Sequence, residues 1–133
     1  MGVLDAAVER PETTRFLTEV LRAVAVMTQG DWIHVGGDEC FTLAAEEYAQ
    51  VVAAAQDIVQ ANGKGVLAWQ EAAKAPLAAT TMVQLWDTRK GLPEGFADAL
   101  ERGNPILMSP APMAYLDMKY TAKSALGQDW AGT

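Results

Sequence analysis

The sequence predicts an α/β fold made of about four parallel strand–helix units. Two observations carry this expectation. Short apolar segments alternate along the chain with stretches of helical periodicity, the order in which a parallel sheet is built. The apolar segments themselves, such as Val66-Leu67-Ala68-Trp69 and Val83-Gln84-Leu85-Trp86, hardly alternate with polar residues, as suits a sheet covered on both faces. No fixed-period repeat, low-complexity tract or interdomain linker interrupts the pattern, so residues 1–133 are expected to form one domain unit.

The elements follow in order. Residues 11–29 read as a helix, with Phe16, Val20 and Val24 in one stripe beside Leu17 and Leu21. Pro11 suits its first turn and Gly30 its stop. Residues 32–35 read as a strand. Thr42 is the expected cap of a second helix running to about residue 61 and ended by Asn62-Gly63. Strands are expected over 65–69, 82–86 and 106–108, with a short helix over 93–102 closed by Gly103. The remainder after Ser109 reads as a long loop with a helical turn.

Bulk composition excludes several function classes. Seventeen acidic residues against ten basic ones give a net charge of −7, which argues against nucleic acid as a partner, because phosphate binding is dominated by Lys and Arg. No apolar run reaches the ~18 residues of a membrane span, so no membrane partner is expected. Cys40 is alone and cannot form an internal disulfide; it reads as a small buried thiol. The opening Met1-Gly2-Val3-Leu4-Asp5 lacks a basic stretch leading into an apolar one, so no signal peptide is expected in this chain, and the compartment stays open.

The richest stretch is Trp32-Ile33-His34-Val35-Gly36-Gly37-Asp38-Glu39. It sets two adjacent carboxylates at the tip of an apolar strand, where like charges repel; such pairs serve chemistry more often than stability. The two glycines permit a sharp turn and leave room beside the acids. Other candidates also follow strands: Trp69 and Glu71, Trp86 and Asp87, and Tyr115 and Asp117. In parallel sheets, the carboxyl ends of the strands converge on the ligand. Simpler readings compete. The acid pair could cap a helix, the tryptophans could be core residues, and Tyr115 and Asp117 could be ordinary loop residues. Glu71 reads as a first-turn helix acid, and His34 as a buried polar residue that buttresses the acids. Met108, Met113 and Met118 read as packing. His34, Asp38 and Glu39 do not suggest a metal site, since zinc takes three or four convergent ligands and the chain has no second histidine.

His34-Val35-Gly36-Gly37-Asp38-Glu39 resembles the His-x-Gly-Gly-Asp-Glu signature of the β-N-acetylhexosaminidases of glycoside hydrolase family 20. Val66–Glu71, Val83–Trp86, Ser109-Pro110-Ala111 through Tyr120, and Leu126-Gly127-Gln128-Asp129-Trp130-Ala131-Gly132 resemble that family too, in order. The resemblance implies an incomplete TIM (β/α)8 barrel, with strands four to seven of a domain that takes about 250 residues when complete. Its open edges are expected to favour self-association. The implied reaction is removal of terminal N-acetylglucosamine or N-acetylgalactosamine, from glycans or chitin oligosaccharides, by substrate-assisted catalysis through an oxazolinium ion.

By motif position, Glu39 would be the general acid and later the base. Asp38 would hold the acetamide nitrogen, and Tyr115 would donate to the acetamide oxygen. Trp69 and Trp86 would wall the acetamide pocket, and Asp117 would accept from sugar hydroxyls. No metal or organic cofactor is implied, and the resemblance is compatible with a secreted parent. The family also uses an arginine from the first strand and a tryptophan and a glutamate near the eighth. Arg89 and Arg102 do not match that arginine's position, so a catalytically silent fragment that at most binds an acetamido sugar is the alternative.

Overall fold

A computed structural model describes residues 10–131. Residues 1–9, which bear the expectation about a leader, and residues 132–133, which include the last glycine of the tail motif, lie outside the described residues. The order is α1 (Pro11–Met27), β1 (Trp32–His34), α2 (Ala45–Ala61), β2 (Gly65–Trp69), a 3-10 turn (Gln70–Lys74), β3 (Met82–Leu85), α3 (Phe96–Glu101), β4 (Ile106–Met108) and α4 (Ala111–Ala114). The four strands form one sheet in sequence order, every pair parallel. Ile33 pairs with Val66, Ala68 with Val83, and Gln84 with Leu107, so the four carboxyl ends lie side by side.

The helices cover one face of this sheet. Val66, Ala68, Val83 and Leu85 point into it and are buried, packing with Val52 and Val59 of α2 and with Phe96 and Ala99 of α3. Two buried polar side chains pin the chain entering β3. The Gln56 Oε1 accepts from the Ala78 N–H at 2.9 Å and the Thr81 hydroxyl at 2.7 Å, and the Asn104 Nδ2 donates to the Ala78 and Thr81 carbonyls. Each buried polar group thereby has a partner, which removes the desolvation penalty of leaving it unpaired.

The opposite face differs from the sequence expectation of two covered faces. His34, Leu67, Met82, Gln84 and Leu107 lie on it by register, and each is exposed or half-buried. Nothing among the described residues covers it as the helices cover the first face. Its apolar residues explain why the strands hardly alternate: in a barrel this face is the interior. The α1 stripe is divided similarly. Leu21 and Val24 pack on the core and Leu17 is half-buried, whereas Phe16 and Val20 stay exposed.

Three helix ends differ from expectation by two residues or more, each for a local reason. Helix α2 starts at Ala45 rather than at a Thr42 cap, because the Glu47 carboxylate accepts from the Ala44 N–H at 3.0 Å, supplying half a capping box from within the helix. Helix α1 ends at Met27, where the Thr28 hydroxyl and N–H both donate to the Val24 carbonyl. Helix α3 begins only at Phe96, because Gly95 adopts φ +76 and an added Cβ there would sit 2.6 Å from the Ala73 carbonyl oxygen. Gly95→Ala in a complete catalytic domain carrying this segment is therefore expected to cost about 2 kcal/mol, read as a lowered urea midpoint. An unchanged midpoint would show that the turn can relax.

Candidate active site

The turn after β1 is built from left-handed backbone. Gly36 has φ +79, Gly37 +102 and Glu39 +49, and Glu39 is the one non-glycine with positive φ among the described residues. A left-handed non-glycine residue costs on the order of 1–3 kcal/mol, and such residues concentrate at functional sites. Gly37 is fixed by space as well, since a Cβ there would meet the Tyr48 hydroxyl at 3.1 Å and the Ala72 Cβ at 3.4 Å. The Tyr48 hydroxyl, carried on α2, donates to the Gly37 carbonyl at 2.6 Å and so holds the peptide that leads into Asp38. Burial, then the charges of Glu71, Cys40 and Asp38, push the Tyr48 phenol well above its ordinary range, which keeps it a donor. Asp38 and Glu39 are exposed and cap no helix, as α2 starts six residues after Glu39.

His34 corrects one expectation. It is exposed on the edge strand β1 and does not bond the carboxylates. Its Nδ1 accepts from the Gly36 N–H at 3.0 Å, and its ring packs on Trp69 at 4.8 Å between centroids. Desolvation lowers its pKa, opposed by a hydrogen bond with Gln84 and the charge of Asp38. The histidine thus shapes the glycine turn and backs the Trp69 ring.

At the tip of β3, Trp86 is gripped twice from the end of β2. The buried Gln70 amide accepts from the Trp86 and Asp87 N–H groups at 2.8 and 2.9 Å and donates to the Asp87 carbonyl at 3.2 Å. The next residue, Glu71, accepts from the Trp86 indole N–H with both oxygens, at 3.1 and 3.2 Å. Glu71 does sit in the first turn of the short helix, as expected, but its half-buried carboxylate faces the tryptophan. Burial raises its pKa, and Asp38 adds to the rise. Its backbone bond, the indole bond and Lys74 oppose it.

The Trp86 ring stacks with Tyr115 at 6.4 Å and 15° and meets Trp130 edge-on at 5.8 Å. Trp130 also meets Tyr115 edge-on at 5.9 Å. The tail is folded back for this: the Gln128 N–H donates to the Asp117 carbonyl, and the Lys119 N–H donates to the Gln128 carbonyl. Arg89 lies 4.8 Å over the Trp130 ring, donates to its carbonyl, and is held in a two-pronged pair by Asp87 at 2.8 Å. That pair holds Asp87 below the usual carboxylate range.

Tyr115 gathers the site. Burial raises its pKa first, followed by the charges of Asp38, Asp117, Glu71 and Glu39. The phenol thus stacks on Trp86 within the field of acids that follow β1 and β2 and of Asp117 in the loop beyond α4. Trp69 and Trp86 are half-buried at strand ends rather than core residues. A cavity of about 600 Å³ lies beside this cluster, lined in part by Glu39, Glu71, Tyr48 and Trp86. Cys40 is half-buried on its wall rather than fully buried, and Met108 and Met113 are exposed rather than packed. Sequence reading assigned no role to Tyr48, Gln70, Arg89 or Trp130. Trp130 lies within the tail motif, but its place against Trp86 depends on the pairing of Gln128 with Asp117 and Lys119, which the sequence does not display.

An open parallel sheet with acids and aromatics at its carboxyl ends is how a segment of a (β/α)8 barrel presents the residues of its ligand-binding rim. Residues 41–133 match the model of glycosyl hydrolase family 20, catalytic domain, and the chain belongs to this family. The match begins two residues after Glu39. The chain is 44% identical over 122 residues to a β-N-acetylhexosaminidase of Cellulomonas fimi, covering 92% of this chain and 24% of that protein. It is 29% identical to the human β-hexosaminidase subunit beta, over 89% of this chain and 24% of that one. Among solved structures, the GH20 β-N-acetylhexosaminidase from Streptomyces coelicolor A3(2) superposes with a TM-score of 0.88 at 33% identity, covering 94% of this chain and 26% of that one. A mutant Streptomyces plicatus β-hexosaminidase in complex with the product GlcNAc gives a TM-score of 0.86 at 32% identity, with the same coverage. The chain spans about a quarter of the length of these relatives.

The Tyr48 brace has a measurable consequence. Tyr48→Phe in a complete catalytic domain leaves the Gly37 carbonyl without this donor and is expected to cost about 1–2 kcal/mol of stability, read from urea unfolding. A loss below a few tenths would mean that water takes over the bond.

Proposed function

We propose that a complete catalytic domain containing this segment is an exo-acting, retaining β-N-acetylhexosaminidase for terminal N-acetylglucosamine or N-acetylgalactosamine. The observation that carries the reading is the cavity at the strand ends lined by Glu39, Glu71, Tyr48 and Trp86, with Tyr115 stacked on the Trp86 ring. Membership of the family and the likeness to an enzyme crystallised with GlcNAc support the substrate class.

The chemistry runs through the substrate's own acetamide. Glu39 donates a proton to the leaving glycosidic oxygen. Asp38 accepts from the acetamide N–H and balances its growing positive charge. Tyr115 donates to the acetamide oxygen and aims it at the anomeric carbon, where the C1–O bond breaks as the new C–O bond forms. The product is an oxazolinium ion. Glu39, now a carboxylate, takes a proton from water, which opens the ring and restores the configuration. Trp69 and Trp86 give flat apolar walls to the acetamido group, and Asp117 accepts from sugar hydroxyls.

In a complete domain, Glu39→Gln is expected to slow hydrolysis of substrates with poor leaving groups by about 10²–10⁴-fold and to spare activated aryl glycosides. Equal losses on both series would remove Glu39 as the acid. Asp38→Asn should slow the cyclising step by a similar factor of about 10²–10³; full turnover of acetamido substrates by that variant would require another residue in its place.

A second reading is favoured by the open sheet, whose β1 and β4 edges each have a partner on one side only. The 133-residue chain alone would then be catalytically silent and would self-associate through those edges. It is expected to give little or no turnover of a chromogenic N-acetylglucosaminide and to sediment as concentration-dependent oligomers. A monomer with a single sharp melt contradicts the association, and steady turnover contradicts the silence.

A further inference from the structure

We propose that Glu71 is a positioning residue that sets the acyl-size limit of the acetamido pocket by locking the Trp86 indole, an inference that rests on Trp86 being a pocket wall. A tryptophan side chain has two free torsions. Gln70 fixes the backbone at Trp86 through three hydrogen bonds, and Glu71 takes the indole N–H between its two oxygens at 3.1 and 3.2 Å. With both ends held, the ring is confined to one rotamer.

Glu71 cannot drift, because the next two residues, Ala72 and Ala73, are buried in the core at 0% and 3% exposure. The locked ring in turn sets the plane of Tyr115, stacked at 15°, and the edge contact of Trp130. A half-buried carboxylate here also carries a folding cost, since burial and the charge of Asp38 both disfavour its ionised form. Its nearby cation, Lys74, pairs with Glu94 at 3.7 Å. Besides a bond to its own backbone, the carboxylate makes its hydrogen bonds to the indole. A neutral apolar residue would avoid the cost of burial but would leave the indole N–H without this acceptor.

An unlocked ring can tip away from the acyl methyl and admit a longer chain. One methylene in a rigid apolar pocket is discriminated by about 10–200-fold, so the selectivity for N-acetyl over N-propionyl substrates reads the wall's rigidity. Two variants in a complete catalytic domain separate reach from charge. Glu71→Gln keeps an oxygen at the same reach and is expected to preserve the selectivity. Glu71→Asp keeps the charge but is one methylene short, and is expected to lower the kcat/KM ratio of N-acetyl to N-propionyl aryl glucosaminides about tenfold, chiefly through a lower KM for the N-propionyl substrate.

The indole N–H resonance of Trp86 gives an activity-independent readout. It is expected downfield and slow to exchange in the parent and in Glu71→Gln, and shifted and fast in Glu71→Asp. Retained selectivity in Glu71→Asp, lost selectivity in Glu71→Gln, or an indole signal alike in all three overturns the inference. A parent domain without N-acetylglucosaminide turnover overturns the functional reading, and the acyl-size role with it. A hydrolytic parent whose Glu71→Asp variant keeps its selectivity overturns the role of Glu71 alone.

Discussion

The site depends on one buried amide. The parallel ladder ends at Leu85, so Trp86 and Asp87 lie beyond regular strand pairing. Gln70 replaces the ladder there: its side chain accepts two backbone N–H groups and donates to one carbonyl across the gap between the ends of β2 and β3. It does so at 4% exposure, where a hydrogen bond competes little with water and an unpaired group is costly. From this clamp the order spreads outward. Trp86 carries Tyr115 and Trp130, and Asp87 carries Arg89, whose guanidinium lies over Trp130. Three aromatic rings and an ion pair thus take their positions from a neutral side chain that touches no substrate in the proposed mechanism.

The acid pair is held by a different device. Strain is concentrated in the Gly36–Glu39 turn, where three of the four residues take positive φ. Two are glycines and bear it cheaply; Glu39 is not and does not. The strain persists because α2 is anchored in the core by Val52, Ala55 and Val59 and presents Tyr48 to the Gly37 carbonyl. His34 ties the turn from the strand side through the Gly36 N–H. The backbone that carries the two carboxylates is therefore held from the helix layer and from β1, away from the acids themselves.

Much of this was legible in the sequence, for physical reasons that differ by residue. The strands and long helices follow from apolar periodicity and burial. Asp38, Glu39, Trp69, Trp86, Tyr115 and Asp117 stand out because chemistry-bearing types recur just past strand ends, and a parallel sheet brings such positions to one rim. Gln70, Tyr48 and Trp130 were not legible, because their roles arise from hydrogen bonds and ring contacts between residues more than ten positions apart. The start of α2 was misplaced for a related reason: Thr42 has the side chain of a cap, but Glu47, reaching back from within the helix, satisfies the Ala44 N–H. His34 reads from sequence as a buried buttress of the acids; its strand is the sheet's edge, and among the described residues no helix covers the face it occupies.

That uncovered face bears on how the site is divided. The acetamido side of the proposed pocket is supplied by consecutive units, Asp38 and Glu39 from the first, Trp69 from the second, Trp86 from the third, and Tyr115 from the fourth. The braces for three of these residues also lie within residues 34–130: Tyr48 for the acid turn, Gln70 and Glu71 for Trp86. Contacts within the segment therefore hold the Gly37 peptide and the Trp86 ring. The inner face, by contrast, holds Leu67, Met82 and Leu107 part-exposed beside Gln84 and His34, and apolar surface of this kind is stabilised only when another layer closes over it. The separation has an energetic logic. Hydrogen bonds are directional and steep in distance, so the Gly37 carbonyl and the Trp86 ring, which have such partners within the segment, are its fixed points, whereas the part-exposed face gains its order from apolar contact with a covering layer.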